Sequence, residues 1–309
     1  MAEILFFLLT ILGLSVFELI SSIDNAVINA DVLSTMSEKA RRWFLLWGMV
    51  FAVFLVRGIL PFLIVYFINP GLGIAGTFNA AFSNDPAFIE AVEQSSPPFL
   101  MAGGVFLLFL FLHWLFLEPK YFGLVGEGFV QKKGVWFFAI VSVLLTGLVW
   151  YSIGRNPLMA FGAAVGSSIF FITHGFKENA AQKEKEMLQD RRMSDWSKIL
   201  YLEVIDASFS IDGVLGAFAF TLSVPIILVG NGIGAIAVRH VTIRNIENVK
   251  KYKYLKNGAM YSVAFLGTIM IADAFRMHIP VWLSPSITIS ILSYFFVKSR
   301  NEFAKSQAK

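Results

Sequence analysis

The chain contains no cysteine among its 309 residues. This absence excludes disulfide bonds, thiolate metal sites and cysteine nucleophiles, and it gives no information about the redox compartment. Charged residues are also scarce, because they make up 15% of the chain whereas hydrophobic residues make up 57%. A soluble domain has about a quarter charged residues. The composition, with a mean hydropathy of +0.69, therefore predicts an all-α membrane protein that crosses the bilayer many times.

About nine stretches are long and apolar enough to form membrane-spanning helices, since a helix needs roughly 20 apolar residues to cross the hydrocarbon core. They lie near residues 4–22, 43–69, 99–117, 135–153, 157–173, 199–221, 223–243, 258–277 and 280–297. The first stretch lacks the basic start and the small-residue cleavage site of a secretory signal. We therefore expect it to be retained as the first span.

The Lys and Arg residues indicate the orientation of these spans. If the N-terminus is outside, the segments that face the cytoplasm carry 21 of the 25 Lys and Arg residues. This positive-inside bias predicts an external N-terminus and a cytoplasmic C-terminus, and we expect the membrane to be the bacterial inner membrane. Because the basic residues lie in loops, topology explains the net charge of +4 without a nucleic-acid partner.

Two short acidic segments inside the predicted spans resemble each other. They are FELISSIDNAVINA and YLEVIDASFSIDGVLGA, and in each an acid is followed six residues later by a second acid that comes directly after Ser-Ile. The acids are Glu18 and Asp24 in the first segment and Asp206 and Asp212 in the second, and Asp24 and Asp212 are 188 residues apart. Carboxylates are costly in hydrocarbon, so these acids are candidates for a functional site.

The similarity between the two halves extends beyond the acids. Gly48 and Arg57 are nine residues apart, as are Gly230 and Arg239, and Val precedes each Arg. Spans one to four therefore correspond to spans six to nine, and an offset of five spans makes corresponding helices cross the membrane in opposite directions. We expect two inverted-topology repeats that share a site near the midplane. The expected divisions are a first repeat at 1–153, a connecting helix and charged cytoplasmic linker at 154–198, and a second repeat with a cytoplasmic tail at 199–309.

Helical periodicity places the polar residues of each motif relative to one another. Glu18, Ser22 and Asn25 share one helix face, whereas Asp24 lies to its side. The second motif repeats this arrangement, because Asp212 lies beside the face that carries Asp206 and Ser210. The candidate ligands are Glu18, Asp24, Asn25, Asp206, Ser210 and Asp212, and the supporting residues are Ser21, Ser22, Glu203, Arg57 and Arg239.

All of these candidate ligands offer hard oxygen atoms, which suit Mn²⁺, Mg²⁺ or Ca²⁺ rather than Zn²⁺ or Cu⁺. Carboxylates that repel one another in a dry site can take up protons when the cation leaves. The residues therefore predict exchange of a divalent cation for protons. Arg57 and Arg239 either pair with the acids in one transport state or stabilise a helix contact, and His113 and His278 are isolated in the sequence.

The segments SSIDNAVI and DASFSIDGVLGA resemble the paired signature of TerC-like integral membrane proteins, a family of the LysE superfamily of exporters. That signature has an acid and then Ser or Gly before Asp-Asn in the first half, and Asp-x-x-Phe-Ser-x-Asp-Ser in the second. The resemblance implies inverted repeats and export of divalent metals, chiefly manganese, with links to tellurite resistance. The residues that match the family's motifs are Glu18, Asp24, Asn25, Asp206, Ser210 and Asp212.

Three features depart from the TerC-like pattern. Gly213 stands where that family often has Ser, which removes one candidate ligand, and the chain also has a long charged linker and a ninth span. These departures are consistent with a sister branch of the family. They bear on the identity of the metal more than on the class of transporter.

We therefore expect a secondary transporter, not an enzyme, that exports Mn²⁺, or alternatively Ca²⁺ or Mg²⁺, in exchange for protons and holds no tightly bound cofactor. Export of amino acids or another small solute, in the LysE manner, is an alternative. A further alternative is an intramembrane hydrolase with Asp24 and Asp212 as a carboxylate dyad, although Gly-x-Gly-Asp and His-Glu-x-x-His patterns are absent from the sequence. A membrane scaffold and assembly into a homo-oligomer also stay open, and the absence of a Walker A motif argues against a primary pump.

Overall fold

The computed structural model of the protein describes residues 2–22, 32–48, 50–51, 57–68, 71, 73–82, 95–189, 194–244, 252–277 and 279–307. The regular secondary structure of these residues is helical, and they contain no β-strand. The prediction of an all-α protein is confirmed.

The α-helices of the described residues are numbered in chain order. In the first half they are α1 (Ala2–Ser21), α2 (Glu38–Trp43), α3 (Arg57–Ile68), α4 (Gly73–Phe82), α5 (Pro97–Phe116), α6 (Glu127–Gln131) and α7 (Trp136–Ile153). They continue with α8 (Pro157–Gln189), α9 (Asp195–Ala217), α10 (Val224–Arg244), α11 (Leu255–Ala274) and α12 (Leu283–Gln307). A π-helical segment, Phe44–Gly48, directly follows α2.

Local signals explain where several of these helices begin. Pro97 and Pro157 occupy the first positions of α5 and α8, where the missing N–H group removes no intrahelical hydrogen bond. Ser194 caps α9, because its side chain accepts a hydrogen bond of 3.2 Å from the backbone N–H of Ser197. The sequence thus sets these helix starts before any tertiary contact forms.

Among the residues that the structure describes, five helices are long and apolar enough to cross a membrane. They are Ile4–Ser21, Pro97–Phe116, Trp136–Ile153, Pro157–Asn179 and Leu255–Ala274. The prediction of an integral membrane protein is confirmed, whereas the count of nine spans stays a prediction. Helix α9 is not one of these five helices, because the acids Glu203, Asp206 and Asp212 make it less apolar. These are the same residues that mark the candidate site.

Helix α7 has the surface of a helix that faces lipid. Only 17% of this helix is buried inside the protein, and its side chains Val143 and Trp150 are 72% and 82% exposed. An apolar helix that is exposed on most of its surface is stable in hydrocarbon but not in water. Trp136, Trp150 and Tyr151 lie near its two ends, as aromatic residues do at membrane–water interfaces.

Small residues allow the central helices to approach closely. On α8, Gly162 and Gly166 lie against the backbone carbonyl groups of Pro98 and Ala102 on α5, so that no Cβ atom fits between these helices. On the other side of α5, Gly104 lies against Gly267 of α11. Close packing through small residues is a main source of helix association in lipid, where the hydrophobic effect no longer drives it.

Both predicted repeats contribute to one hydrophobic core. The core includes Leu14 and Phe106 from the first repeat, Val214 and Met270 from the second, and Phe170 from the connecting helix. The division of the chain into 1–153, 154–198 and 199–309 stays a prediction. What the packing establishes is that the two halves and α8 fold around a shared core.

The contact between α8 and α5 generates a stability prediction. A Gly166→Leu side chain would overlap the Ala102 carbonyl oxygen, and this backbone atom moves only if α5 moves with it. We expect a destabilisation of about 1–3 kcal/mol or more, measured as a lower melting temperature of the purified protein in detergent. Gly147→Leu is the matched control because no atom lies within 4 Å of a Cβ atom there. Equal melting temperatures for the two variants would contradict the proposed packing.

Candidate functional site

Glu18 is buried near the C-terminal end of α1. Its side chain has no exposure to solvent, and the Ser22 hydroxyl donates a hydrogen bond of 2.7 Å to its Oε1 atom. Ser21 donates to the backbone carbonyl of Glu18 at 3.3 Å. The predicted pairing of Glu18 and Ser22 on one helix face is therefore present, with Ser22 orienting the carboxylate.

Glycine residues of two neighbouring helices make room for Glu18. A Cβ atom on Gly213 of α9 would lie 2.7 Å from the Glu18 Oε2 atom, and one on Gly234 of α10 would lie 2.6 Å from the Glu18 Cβ atom. The acidic side chain thus lies between α9 and α10 rather than in lipid. Glycine at position 213 has a physical reason, because a larger residue would occupy the space of the Glu18 carboxylate.

Asp206 and Ser210 lie on the helix face of α9 that includes Gly213. Asp206 is 6% exposed and Ser210 is 1% exposed, and the Ser210 hydroxyl donates a hydrogen bond of 2.5 Å to the Asp206 backbone carbonyl. Residues at i, i+4 and i+7 share a helix face, and Gly213 places this face against α1. Glu18 of the first acidic motif therefore lies against the second motif in the folded protein.

Asp212 lies to the side of that face, as the periodicity predicts, and forms an ion pair with Lys177 of α8. The two side chains are 17% and 16% exposed. Sequence analysis missed this partner because it placed Lys177 in the cytoplasmic linker. Helix α8 continues without a break to Gln189, so Lys177 stays close to the membrane-spanning part of the protein.

The remaining predicted site residues are only partly covered by the structure. Asp24 and Asn25 lie outside the described residues, as do the side chains of Arg57 and Arg239. Glu203 is partly buried on α9, one turn before Asp206. Among the residues that the structure describes, no three His, Asp or Glu side chains form a cluster that could hold a metal ion. The metal site therefore stays a prediction.

A second polar cluster, which sequence analysis missed, joins the two halves near the C-terminal end of α5. Glu127 is 3% exposed and accepts hydrogen bonds from the backbone N–H of Gly123 at 2.8 Å, from the Asn257 amide at 3.2 Å and from the Tyr261 hydroxyl at 2.8 Å. These bonds satisfy a carboxylate that would otherwise be costly to bury. The role of Glu127 here is to link the loop before α6 to helix α11.

Histidines and an ion pair extend this cluster. Lys256 Nζ lies 2.8 Å from Glu118 Oε2, and His113 Nδ1 lies 3.5 Å from Glu118 Oε1. His113 is not isolated, because its ring centroid is 4.0 Å from that of His174 on α8. No local sequence signal connects these residues, since they come from three different helices and a loop.

The environment of this cluster shifts the titration of two groups outside the spans. Burial by itself would raise the pKa of Glu118, but the adjacent His113 and Lys256 outweigh this effect and hold the pKa at about 2. Burial lowers the pKa of Lys120 to about 8, against the opposing effect of the Glu127 and Glu118 carboxylates. Glu118 is therefore ionised at neutral pH and stabilises its partners.

A cleft of about 520 Å³ opens at the opposite ends of the same helices. It is lined by Asp273 in the last turn of α11 and Arg276 after it, by Ser96 before α5 and by the chain that follows α9. Asp273 accepts a hydrogen bond of 3.1 Å from the backbone N–H of Ile279, which fits its predicted position near the end of a span. In the predicted topology this cleft faces outside.

Comparison with protein families gives a match over most of the chain. The model of a family described as "Protein of unknown function (DUF475)" matches residues 23–305. This range includes Asp24 and Asn25 of the first motif but not Glu18, Ser21 or Ser22, and it includes the second motif, the connecting helix and most of α12.

Two curated relatives are membrane proteins without an assigned function. The uncharacterized membrane protein YceF of Bacillus subtilis (strain 168) is 28% identical over 85 residues, which cover 28% of this chain and 33% of that protein. The uncharacterized membrane protein RP786 of Rickettsia prowazekii (strain Madrid E) is 24% identical over 173 residues, or 54% of this chain and 57% of the relative. The chain thus matches about a third and somewhat more than half of the length of these relatives. No solved structure matches this chain.

The Glu118 pair generates a prediction about stability and pH. The folded pKa of about 2 lies below the ordinary value of 4.5, so ionised Glu118 stabilises the protein fully above about pH 4.5 and loses this effect as the pH falls toward 2. Glu118→Gln should therefore lower stability by about 1–3 kcal/mol at pH 7, and the difference from wild type should shrink at pH 3.

The test is a thermal melt of both proteins at pH 7 and pH 3 in the same detergent. Glu302→Gln is the control, because Glu302 forms a more exposed ion pair with Lys253 and solvent screens such pairs. A difference between Glu118→Gln and wild type that does not change with pH would contradict the prediction.

Proposed function

This chain belongs to the DUF475 family, and we propose that it is a secondary transporter that moves divalent metal cations out of the cell. Manganese is the first candidate for the transported ion, and protons are the counter-ion. The observation that carries the proposal is the burial of Glu18 against Gly213, because this contact brings the two acidic motifs together inside a membrane protein. The proposed location is the bacterial inner membrane, with the C-terminus in the cytoplasm.

The chemistry of the buried groups supports a cation as the substrate. Glu18 and Asp206 are buried carboxylates on two helices that touch at Gly213, and Ser22 supplies a hydroxyl group next to Glu18. Hard oxygen ligands of this kind favour Mn²⁺, Mg²⁺ or Ca²⁺. Asp24 and Asn25 are the further ligands that the sequence offers to the same site.

The packing of the helices supports inverted repeats. Helix α5 packs against α11, which is its predicted counterpart, through Gly104 and Gly267. Helix α1 contacts α10, and α9 contacts α3. Helices α1 and α3 lie in spans one and two, and α9 and α10 lie in spans six and seven. The two contacts are therefore equivalent if spans one and two correspond to spans six and seven. In transporters built from such repeats the substrate binds between the halves, and one half rocks against the other.

The resemblance of both motifs to TerC-like proteins points to the same substrate class. It is the basis for choosing manganese among the divalent cations and for choosing export as the direction. The names of the two relatives say that they are membrane proteins and say nothing of a substrate. The metal, the direction and the coupling to protons are therefore parts of the proposal.

The Lys177–Asp212 pair favours a second candidate, the export of an amino acid. A zwitterionic substrate needs a cation for its carboxylate as well as acids for its ammonium group, and the structure places Lys177 beside Asp212.

The Lys177–Asp212 pair also argues against an intramembrane aspartyl hydrolase. A dyad of Asp24 and Asp212 would have to share one proton, whereas the carboxylate of Asp212 already binds an ammonium group.

Transport itself tests the proposal. Mn²⁺ uptake into inside-out vesicles or proteoliposomes, with a pH dye inside, should be lost by about tenfold or more in Glu18→Gln, Asp206→Asn and Asp212→Asn. Glu302→Gln, near the C-terminal end of α12, should transport as wild type does. If folded wild-type protein moves none of Mn²⁺, Ca²⁺ and Mg²⁺ but moves an amino acid, the second candidate replaces the first.

Gly213 offers a finer test of the site. The Cβ atom of a Gly213→Ala variant would displace the Glu18 carboxylate, which is the far end of a side chain and can move. We expect the variant to fold normally and to show a several-fold higher concentration of Mn²⁺ at half-maximal uptake. Gly175→Ala on α8 is the matched control because no atom lies within 4 Å of its Cβ position. Unchanged uptake by Gly213→Ala would remove Glu18 from the proposed site.

A further inference from the structure

We call Glu18, Asp206, Asp212 and the side chains that contact them the acidic region. Among its described residues, only Lys177 comes from outside the two predicted repeats. It lies on α8, which packs rigidly on α5 through Gly162 and Gly166. Its ammonium group binds the Oδ2 atom of Asp212, and both side chains are mostly buried. The cation is therefore presented to the site from a helix that the repeat symmetry does not generate.

Asp212 keeps one carboxylate oxygen available. Its Oδ1 atom is buried and has no hydrogen-bond partner among the residues that the structure describes. The charged side chains that act on it are Lys177 on α8 and Glu118 after α5, while Glu18 of α1 lies against the adjacent residue Gly213. A buried oxygen with an unused acceptor is unusual, and it is a suitable ligand for an incoming cation.

We propose that Lys177 is a tethered counter-cation, which neutralises Asp212 while the transport site is empty and competes with the transported cation for this carboxylate. The inference rests on the proposed function. A lysine suits this role because its ammonium group is a compact charge on a flexible four-carbon stem. It can release the Asp212 carboxylate without any movement of the backbone of α8.

This arrangement has a consequence for selectivity. A monovalent cation that displaces Lys177 brings the same charge as the ammonium group, so it gains little from the exchange. A divalent cation brings twice that charge to a carboxylate that also lies in the field of Glu118. Lys177 therefore excludes Na⁺ and K⁺ from Asp212 and leaves divalent cations able to bind.

Mn²⁺ binding to the purified full-length protein tests this role. Free Mn²⁺ is measured by electron paramagnetic resonance, and the proteins are wild type, Lys177→Met, Lys177→Gln and the charge-conserving Lys177→Arg. We expect about tenfold tighter binding of Mn²⁺ at low ionic strength when the positive charge is removed, and wild-type affinity for Lys177→Arg. Added Na⁺ should weaken Mn²⁺ binding to Lys177→Met several-fold more than it weakens binding to wild type.

A double-variant cycle separates this role from a structural one. In an Asp212→Asn background, Lys177→Met should no longer change the affinity for Mn²⁺, because the two cations no longer share a carboxylate. If Lys177→Met binds Mn²⁺ with wild-type or lower affinity while wild type binds, the inference is wrong and the proposed function stands. If folded wild-type protein binds no divalent cation, both fall.

A measurement on wild-type protein makes the test independent of how the variants fold. The Lys177 amine is labelled with an acylating reagent and quantified by mass spectrometry, with and without saturating Mn²⁺. We expect labelling of Lys177 to rise several-fold with Mn²⁺, whereas labelling of Lys256, which pairs with Glu118, should stay constant. Equal labelling of Lys177 in both conditions would overturn the inference.

Discussion

The complete burial of the Glu18 carboxylate is the constraint on which the arrangement of the central helices depends. A carboxylate cannot be left in hydrocarbon, so the side chain must lie inside the protein with its oxygens engaged. Gly213 and Gly234 provide the space, because any side chain at these positions would meet Glu18. Glu18 and these two glycines thus contribute to the close approach of α1 to α9 and α10, which places Glu18 against the second acidic motif.

Charge in the described part of the protein is neutralised locally. Asp212 is paired with Lys177 and Glu118 with Lys256, while hydrogen bonds from both halves satisfy Glu127. Removing one partner of a buried pair leaves an uncompensated charge, so each of these contacts fixes the relative position of two helices. The contacts of Glu118 and Glu127 join the halves at one end of the bundle, whereas a cleft of about 520 Å³ separates the helices at the other end.

Helix α8 gives the molecule an asymmetry that repeats alone would not have. It packs against α5 along Gly162 and Gly166, contributes Phe170 to the shared core, and carries His174 and Lys177 to the region between the halves. If the halves exchange conformations during transport, a helix attached to one of them carries its charge with that half. Helix α8 therefore contributes a charged partner to Asp212 of α9 as well as packing against α5.

The sequence by itself determined the helical class, the membrane location, the two acidic motifs and the position of Asp212 beside the face of Asp206. These properties depend on composition and on the period of 3.6 residues per turn, which are local. The tertiary structure decided which side chains form ion pairs and hydrogen bonds with one another. Lys177 and Asp212 are 35 residues apart and Glu127 and Tyr261 are 134 apart, and no local pattern links such residues. Charge pairing depends on which helix faces meet, and these faces are chosen by the fit of glycines against neighbouring helices once the chain has folded.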